Sequence, residues 1–187
     1  MSSPRDAQAT RERLILAARK AFSENGFERT TVREIAGDAG VNPALINRYF
    51  GGKEQLFAEA VSIDLKFPDI NGISRDTIGT ALVAHFFSRW EGSGEDDLLR
   101  VLIRTAATNG EAAARIRAIL TDQVTVMVTR VAGPERARER ACLIATQILG
   151  LAYARYVLGL SDEDVTPETA LAMIGGTVQR YLFAELP

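Results

Sequence analysis

The residues best suited to chemistry fall in one stretch, residues 28–57, ERTTVREIAGDAGVNPALINRYFGGKEQLF. Arg33, Asn47, Arg48, Tyr49 and Lys53 are interleaved there with Thr31, Pro43, Ala44 and Leu45. Guanidinium and ammonium groups hold phosphates, amides match base edges, and small apolar groups sit against thymine methyls. This is the chemistry of nucleic-acid binding, not of bond-making. The parts of an enzyme are missing. With one His and one Cys in the chain, a metal centre is not expected. There is no P-loop, no G-x-G-x-x-G after a strand and no G-x-S-x-G. The inward carboxylate–histidine sets of a bundle enzyme are absent too. Glu95-Asp96-Asp97 reads as an acidic helix start. No cofactor is expected.

The elements around this stretch explain how it could be held. Helix 1 is expected from Pro4 to Asn25, capped by Ser3 and stopped by Gly26, with Leu14, Ala18, Ala21 and Phe22 on one face. Thr31-Val32-Arg33-Glu34 is a capping box that starts helix 2, whose apolar stripe is Val32, Ile35, Ala36 and Ala39. Gly40 permits a tight turn. Asn42 and Pro43 start a short helix 3 that runs to about Tyr49, and Gly51-Gly52 stops it. Helix 4 is expected from Lys53 to Pro68. Small residues where helices 2 and 3 cross let them approach closely, as a helix-turn-helix requires to present its second helix to the major groove. Pro43, Ala44, Asn47 and Arg48 then face outward. Leu45 or Ile46, with Phe50, must anchor the helix.

The ordered spacing resembles the N-terminal domain of tetracycline-repressor-like (TetR family) regulators. It is carried by Ala18, Phe22, Gly26, Phe27, Thr30 and Thr31, then Ile35, Ala36, Ala39, Gly40 and Val41, then Tyr49, Phe50, Lys53, Glu54 and Leu56. The resemblance covers about residues 10–60. It implies that Thr31 and Arg33 touch the DNA backbone or a base edge. It sets Pro43, Ala44 and Leu45 against the groove floor, Asn47, Arg48 and Tyr49 on bases or phosphates, and Lys53 on a phosphate. Arg48 could pair with a carboxylate instead, and Tyr49 divides between core and phosphate. The chain departs from the family at Asn47, where a tyrosine is common. Asn47 reads adenine or binds a phosphate.

The remainder predicts five more helices, near 74–91, 95–108, 111–132, 135–159 and 167–185, separated by glycine- and proline-rich breaks that include Gly92 and Gly94. The expected architecture is all-α with about nine helices. A helix-turn-helix head occupies residues 1–60, and a helical effector-binding and dimerisation domain residues 61–187. Charge follows the same division: residues 1–53 hold 9 Lys+Arg against 6 Asp+Glu, while the rest holds 13 against 18. A basic head on an acidic body suits a sequence-specific DNA binder.

A hydrophobic content of 47% supports a sizeable core, and a single cysteine, Cys142, suits a reducing cytoplasm. No signal-like start and no uncharged apolar span of membrane length are found. His85 reads as a satisfied core residue or as pocket lining, and Trp90 is similarly open. Thr105, Asn109, Gln123, Met127, Gln147 and Tyr153 are further pocket candidates. Ala145, Leu149, Ala152 and Tyr156 on one late helix, with Ile174, Gly175, Thr177, Val178 and Tyr181 on the next, are expected at a dimer interface. The resemblance implies that these two helices pair with their mates in a four-helix bundle; otherwise they form intrachain core. The partners expected are an operator in double-stranded DNA, a second copy of the chain and a small-molecule effector, with no membrane. The contrary reading is a helical protein-interaction module whose head has lost DNA binding, and its motive is Asn47.

Overall fold

Apolar residues recur at helical spacing through nearly the whole chain, and helices are what form. The computed structural model describes residues 4–61, 63–91 and 97–187. In chain order the helices are α1 (Pro4–Arg29), α2 (Val32–Asp38), α3 (Ala44–Phe50), α4 (Lys53–Ala60), α5 (Ile78–Trp90), α6 (Asp97–Ala106), α7 (Gly110–Ile119), α8 (Thr125–Ala132), α9 (Ala137–Tyr156) and α10 (Pro167–Phe183). A π turn, Leu120–Val124, joins α7 to α8 without a break, so the described residues make nine continuous helical segments and no strand. They group into two units: Met1–Ile63 with Asp97–Ile116, and Asp64–Asp96 with Arg117–Pro187.

In the first unit α1 packs on α2, α4 and α6, and α3 packs on α4. Gly26 breaks α1 at φ 74°, a conformation glycine adopts without steric penalty. The chain then reverses, and the Thr30 hydroxyl, 1% exposed, donates to the Ala21 and Gly26 carbonyls at 3.0 and 2.7 Å. Leu14, Ala18, Phe22, Ile35, Ile46, Leu56 and Phe57 are fully buried. The Phe57 ring meets Phe22 edge-on at 5.0 Å and Phe27 at 4.9 Å, the geometry that aromatic quadrupoles favour.

In the second unit α10 packs closely against α5. A Cβ at Gly79 would stand 2.3 Å from the Gly175 carbonyl oxygen, and one at Gly175 would stand 2.9 Å from Thr80 Cα. Gln179 fastens the crossing. Its Oε1 accepts from the Gly79 N–H at 2.8 Å, and its Nε2 donates to the Arg75 carbonyl at 2.7 Å. Trp90 stacks on Tyr156 at 4.8 Å with planes 8° apart. Arg155 pairs with Asp162 and donates to the Val165 carbonyl, tying the α9–α10 loop to α9.

Several element boundaries differ from expectation. Helix 4 ends at Ala60, not Pro68. The following backbone finds its partners in side chains: Leu65 donates its N–H to Gln123 Oε1 at 2.8 Å, and its carbonyl accepts from His85 Nε2 at 2.8 Å. Ile63 is buried outside any helix. The helix expected over 74–91 opens with a 3₁₀ turn, Arg75–Thr77. That expected over 111–132 carries the π turn, and that over 135–159 stops at Tyr156, with Gly159 at φ 79°. The expected Ser3 cap, the breaks at Gly92 and Gly94, and Glu95-Asp96 lie outside the described residues.

Candidate nucleic-acid interface

The candidate interface is built by three local devices. The first is the capping box. The Glu34 N–H donates to Thr31 Oγ1 at 3.2 Å, and Glu34 Oε2 accepts from the Thr31 N–H at 2.8 Å and from its hydroxyl at 3.0 Å. These bonds satisfy donors that a helix start otherwise leaves unpaired, and they set Arg33 on the exposed side of α2. The Thr31 donations hold the Glu34 carboxyl below its ordinary value of 4.5. A carboxylate lowered on folding stabilises the fold above its unfolded pKa, and that contribution is lost as pH falls through the folded value. Stability of the first unit is therefore expected to drop on acidification below pH 4.5. Urea melts across that range should show a steeper acid loss for the native chain than for Glu34→Gln.

The second device is the turn between α2 and α3. Gly40 adopts φ 64°, and the Val41 N–H reaches back to the Ala36 carbonyl at 2.9 Å. Asn42 Oδ1 accepts from the Ala44 N–H at 2.8 Å, so its side chain caps α3 as expected. Along α3, Ile46 and Phe50 are buried, Leu45 and Tyr49 are half-buried, and Ala44, Asn47 and Arg48 are exposed beside Pro43. Ile46, at 0% exposure, is therefore the anchor that sequence spacing left open between it and Leu45. The Arg48 guanidinium leans over the Tyr49 ring, 6.0 Å from its centroid.

The third device holds Lys53 at the first turn of α4. Its Nζ lies 4.3 Å from the centre of the Phe27 ring and 3.4 Å from the Glu28 carbonyl oxygen. The ring face attracts the ammonium and limits its wandering. Phe27 therefore serves the interface as well as the core. No local sequence pattern linked Phe27 to Lys53.

The residues considered for a pocket divide between the two units. Thr105 and Asn109 belong to the first unit, and His85, Trp90, Gln123, Met127, Gln147 and Tyr153 to the second. Asn109 Oδ1 accepts from the Ala112 N–H at 2.9 Å, capping α7. His85 and Gln123 hold Leu65, and Trp90 is buried against Tyr156. Tyr153 is 41% exposed on α9. Of the positions considered for a dimer interface, Ala152, Gly175 and Val178 are already covered within the chain. Ala145, Leu149, Tyr156, Ile174, Thr177 and Tyr181 are half-buried. Next to them, Gly150, Tyr153, Met173 and Gly176 stand open on α9 and α10.

A short capped helix with an anchored inner face and a polar outer face, held by a glycine turn behind a second helix, defines a helix-turn-helix protein. Comparison with known proteins makes this narrower. Residues 14–60 match the family model for bacterial regulatory proteins of the tetR family, and residues 76–182 match that for the tetracyclin repressor-like C-terminal domain. The HTH-type transcriptional regulator BetI of Brucella anthropi is 30% identical over 188 residues, covering 94% of this chain and 93% of that protein. The match to the regulator HbdR of Aromatoleum sp. (strain CIB), 39% identical over 56 residues, spans only 24% of that protein. A TetR-family regulator from Streptomyces coelicolor A3, 29% identical, superposes with a TM-score of 0.53 over 92% of this chain and 94% of that one. The chain belongs to the TetR family. It is a DNA-binding transcriptional regulator, not an enzyme.

Proposed function

We propose that the protein acts as a homodimer on a palindromic operator, as a repressor released when a small-molecule effector binds residues 61–187. In this reading residues 1–60 are the DNA-binding head and the protein works in the cytoplasm, where its operator is. The observation that carries the reading is the outward row Pro43, Ala44, Asn47 and Arg48, flanked by Arg33 and the ring-steadied Lys53. Thr31, Leu45 and Tyr49 complete the contact surface. α6, within residues 61–187, packs on α1 of the head. An effector that favours a different spacing of two heads then lowers operator affinity by its differential affinity for the two states.

The operator is sought by selecting the purified protein against random duplexes at near-physiological salt. An enriched palindrome supports the reading, and no enrichment with a folded dimer refutes it. On the selected duplex, Arg33→Ala and Lys53→Ala are each expected to weaken binding and to lower the slope of log affinity against log salt by about one. Unchanged slopes would remove both residues from the phosphate contacts.

Two helical glycines support the dimer. A Cβ at Gly150 or Gly176 would meet nothing within 4 Å, although interior helical glycine costs about 1 kcal/mol relative to alanine. No contact among the described residues accounts for them, and close approach of a second copy would. The double variant Gly150→Arg, Gly176→Arg is therefore expected to sediment as a monomer with unchanged helical circular dichroism. A dimer retained by that variant would place the interface elsewhere.

A further inference from the structure

We infer that Asn47 is the base-reading residue of the head and that each operator half-site carries an adenine at the position it faces. The inference rests on the DNA-binding role proposed above and adds what the head recognises. One asparagine precedes α3 and another lies in its middle, and they are differently employed. Asn42 bonds the Ala44 N–H through its side chain. Asn47 is exposed; its backbone carbonyl accepts from the Gly51 N–H, and its side chain makes no bond among the described residues. Among Ala44, Asn47 and Arg48, the exposed residues of α3's outward row, Ala44 has no polar edge and Arg48 leans over Tyr49. Asn47 therefore presents a planar edge with one acceptor and donors beside it.

Adenine in the major groove offers the complementary edge. Its N6 amino group donates to an asparagine Oδ1, and its N7 accepts from the Nδ2–H. Thymine offers one acceptor and a methyl group, and guanine two acceptors, so neither satisfies both halves of the amide. Ala44 stands one turn before Asn47 on the same face, which sets its methyl beside a neighbouring base pair and suits a thymine methyl there. The half-site expected is an adenine next to an A·T pair, not a G·C run read by arginine.

The test uses the full-length protein and the duplex that it selects. Wild type is expected to enrich one adenine per half-site, and Asn47→Ala to enrich a motif relaxed at that position alone. Replacing that adenine by 7-deazaadenine removes the N7 acceptor. It should weaken wild type by about fivefold or more and leave Asn47→Ala indifferent. Arg33→Ala should bind more weakly overall and keep the adenine preference, which separates positioning from reading. A selected motif whose preferences survive Asn47→Ala, or equal weakening on every duplex with no 7-deazaadenine effect, would make Asn47 a phosphate contact and overturn the inference while leaving the DNA-binding reading intact. If wild type selects no motif, both fall.

Discussion

Phe57→Ala is expected to destabilise the head strongly. The ring is fully buried between Phe22 and Phe27, and truncating a buried phenylalanine costs about 3–5 kcal/mol in transfer and cavity terms. Small domains hold only some 5–15 kcal/mol of stability, so this loss removes a large share of it. Urea melts followed by circular dichroism would show a first transition moved to low denaturant. Operator binding at room temperature would fall with it, although Phe57 belongs to the core and not to the outward row. A variant that kept both its midpoint and its DNA affinity would mean that the aromatic cluster is not what holds α4 to α1.

Gly79→Ala is the second substitution expected to act strongly, through a different mechanism. The new Cβ would lie 2.3 Å from the Gly175 carbonyl oxygen and 2.5 Å from the Gln179 backbone nitrogen. Both are backbone atoms of α10, so no side-chain rotation relieves the clash and the helices must separate. Overpacking of this kind costs about 1–3 kcal/mol and at times more. Separation would also break the Gln179 bonds to Gly79 and Arg75. The same change at Gly37 in α2, where a Cβ meets nothing within 4 Å, should instead stabilise by up to about 1 kcal/mol. Opposite shifts in melting temperature for the two variants are the expected result. A neutral Gly79→Ala would show that α5 and α10 are not in such close contact.

Much of the head could be read from the order of its residues, because its determinants are local. A capping box, an Asn cap and glycine stops act within a few positions of themselves, and the structure realises Thr31–Glu34, Asn42–Ala44 and Gly51 as read. Helical periodicity likewise identified Leu14, Ala18, Phe22, Ile35 and Ala36 as inward residues.

What the tertiary structure alone decided are pairings between distant positions. Leu45 and Ile46 are both apolar and adjacent, and only packing on the rest of the head buries Ile46 fully. The apolar positions spaced between Leu56 and Leu65 read as one face of a helix. Yet the backbone after Val61 leaves it, because Gln123 and His85, 58 and 20 residues away, bond Leu65 instead. Gly175 and Val178 look like interface residues by composition, but α5 already covers Gly175 and the chain buries both. Sequence by itself determined where most of the helices lie, how α2 and α3 begin and which family the head resembles, since those depend on neighbours along the chain. It could not determine which apolar face meets which, since several faces of similar hydrophobicity compete and complementary shape in three dimensions chooses among them.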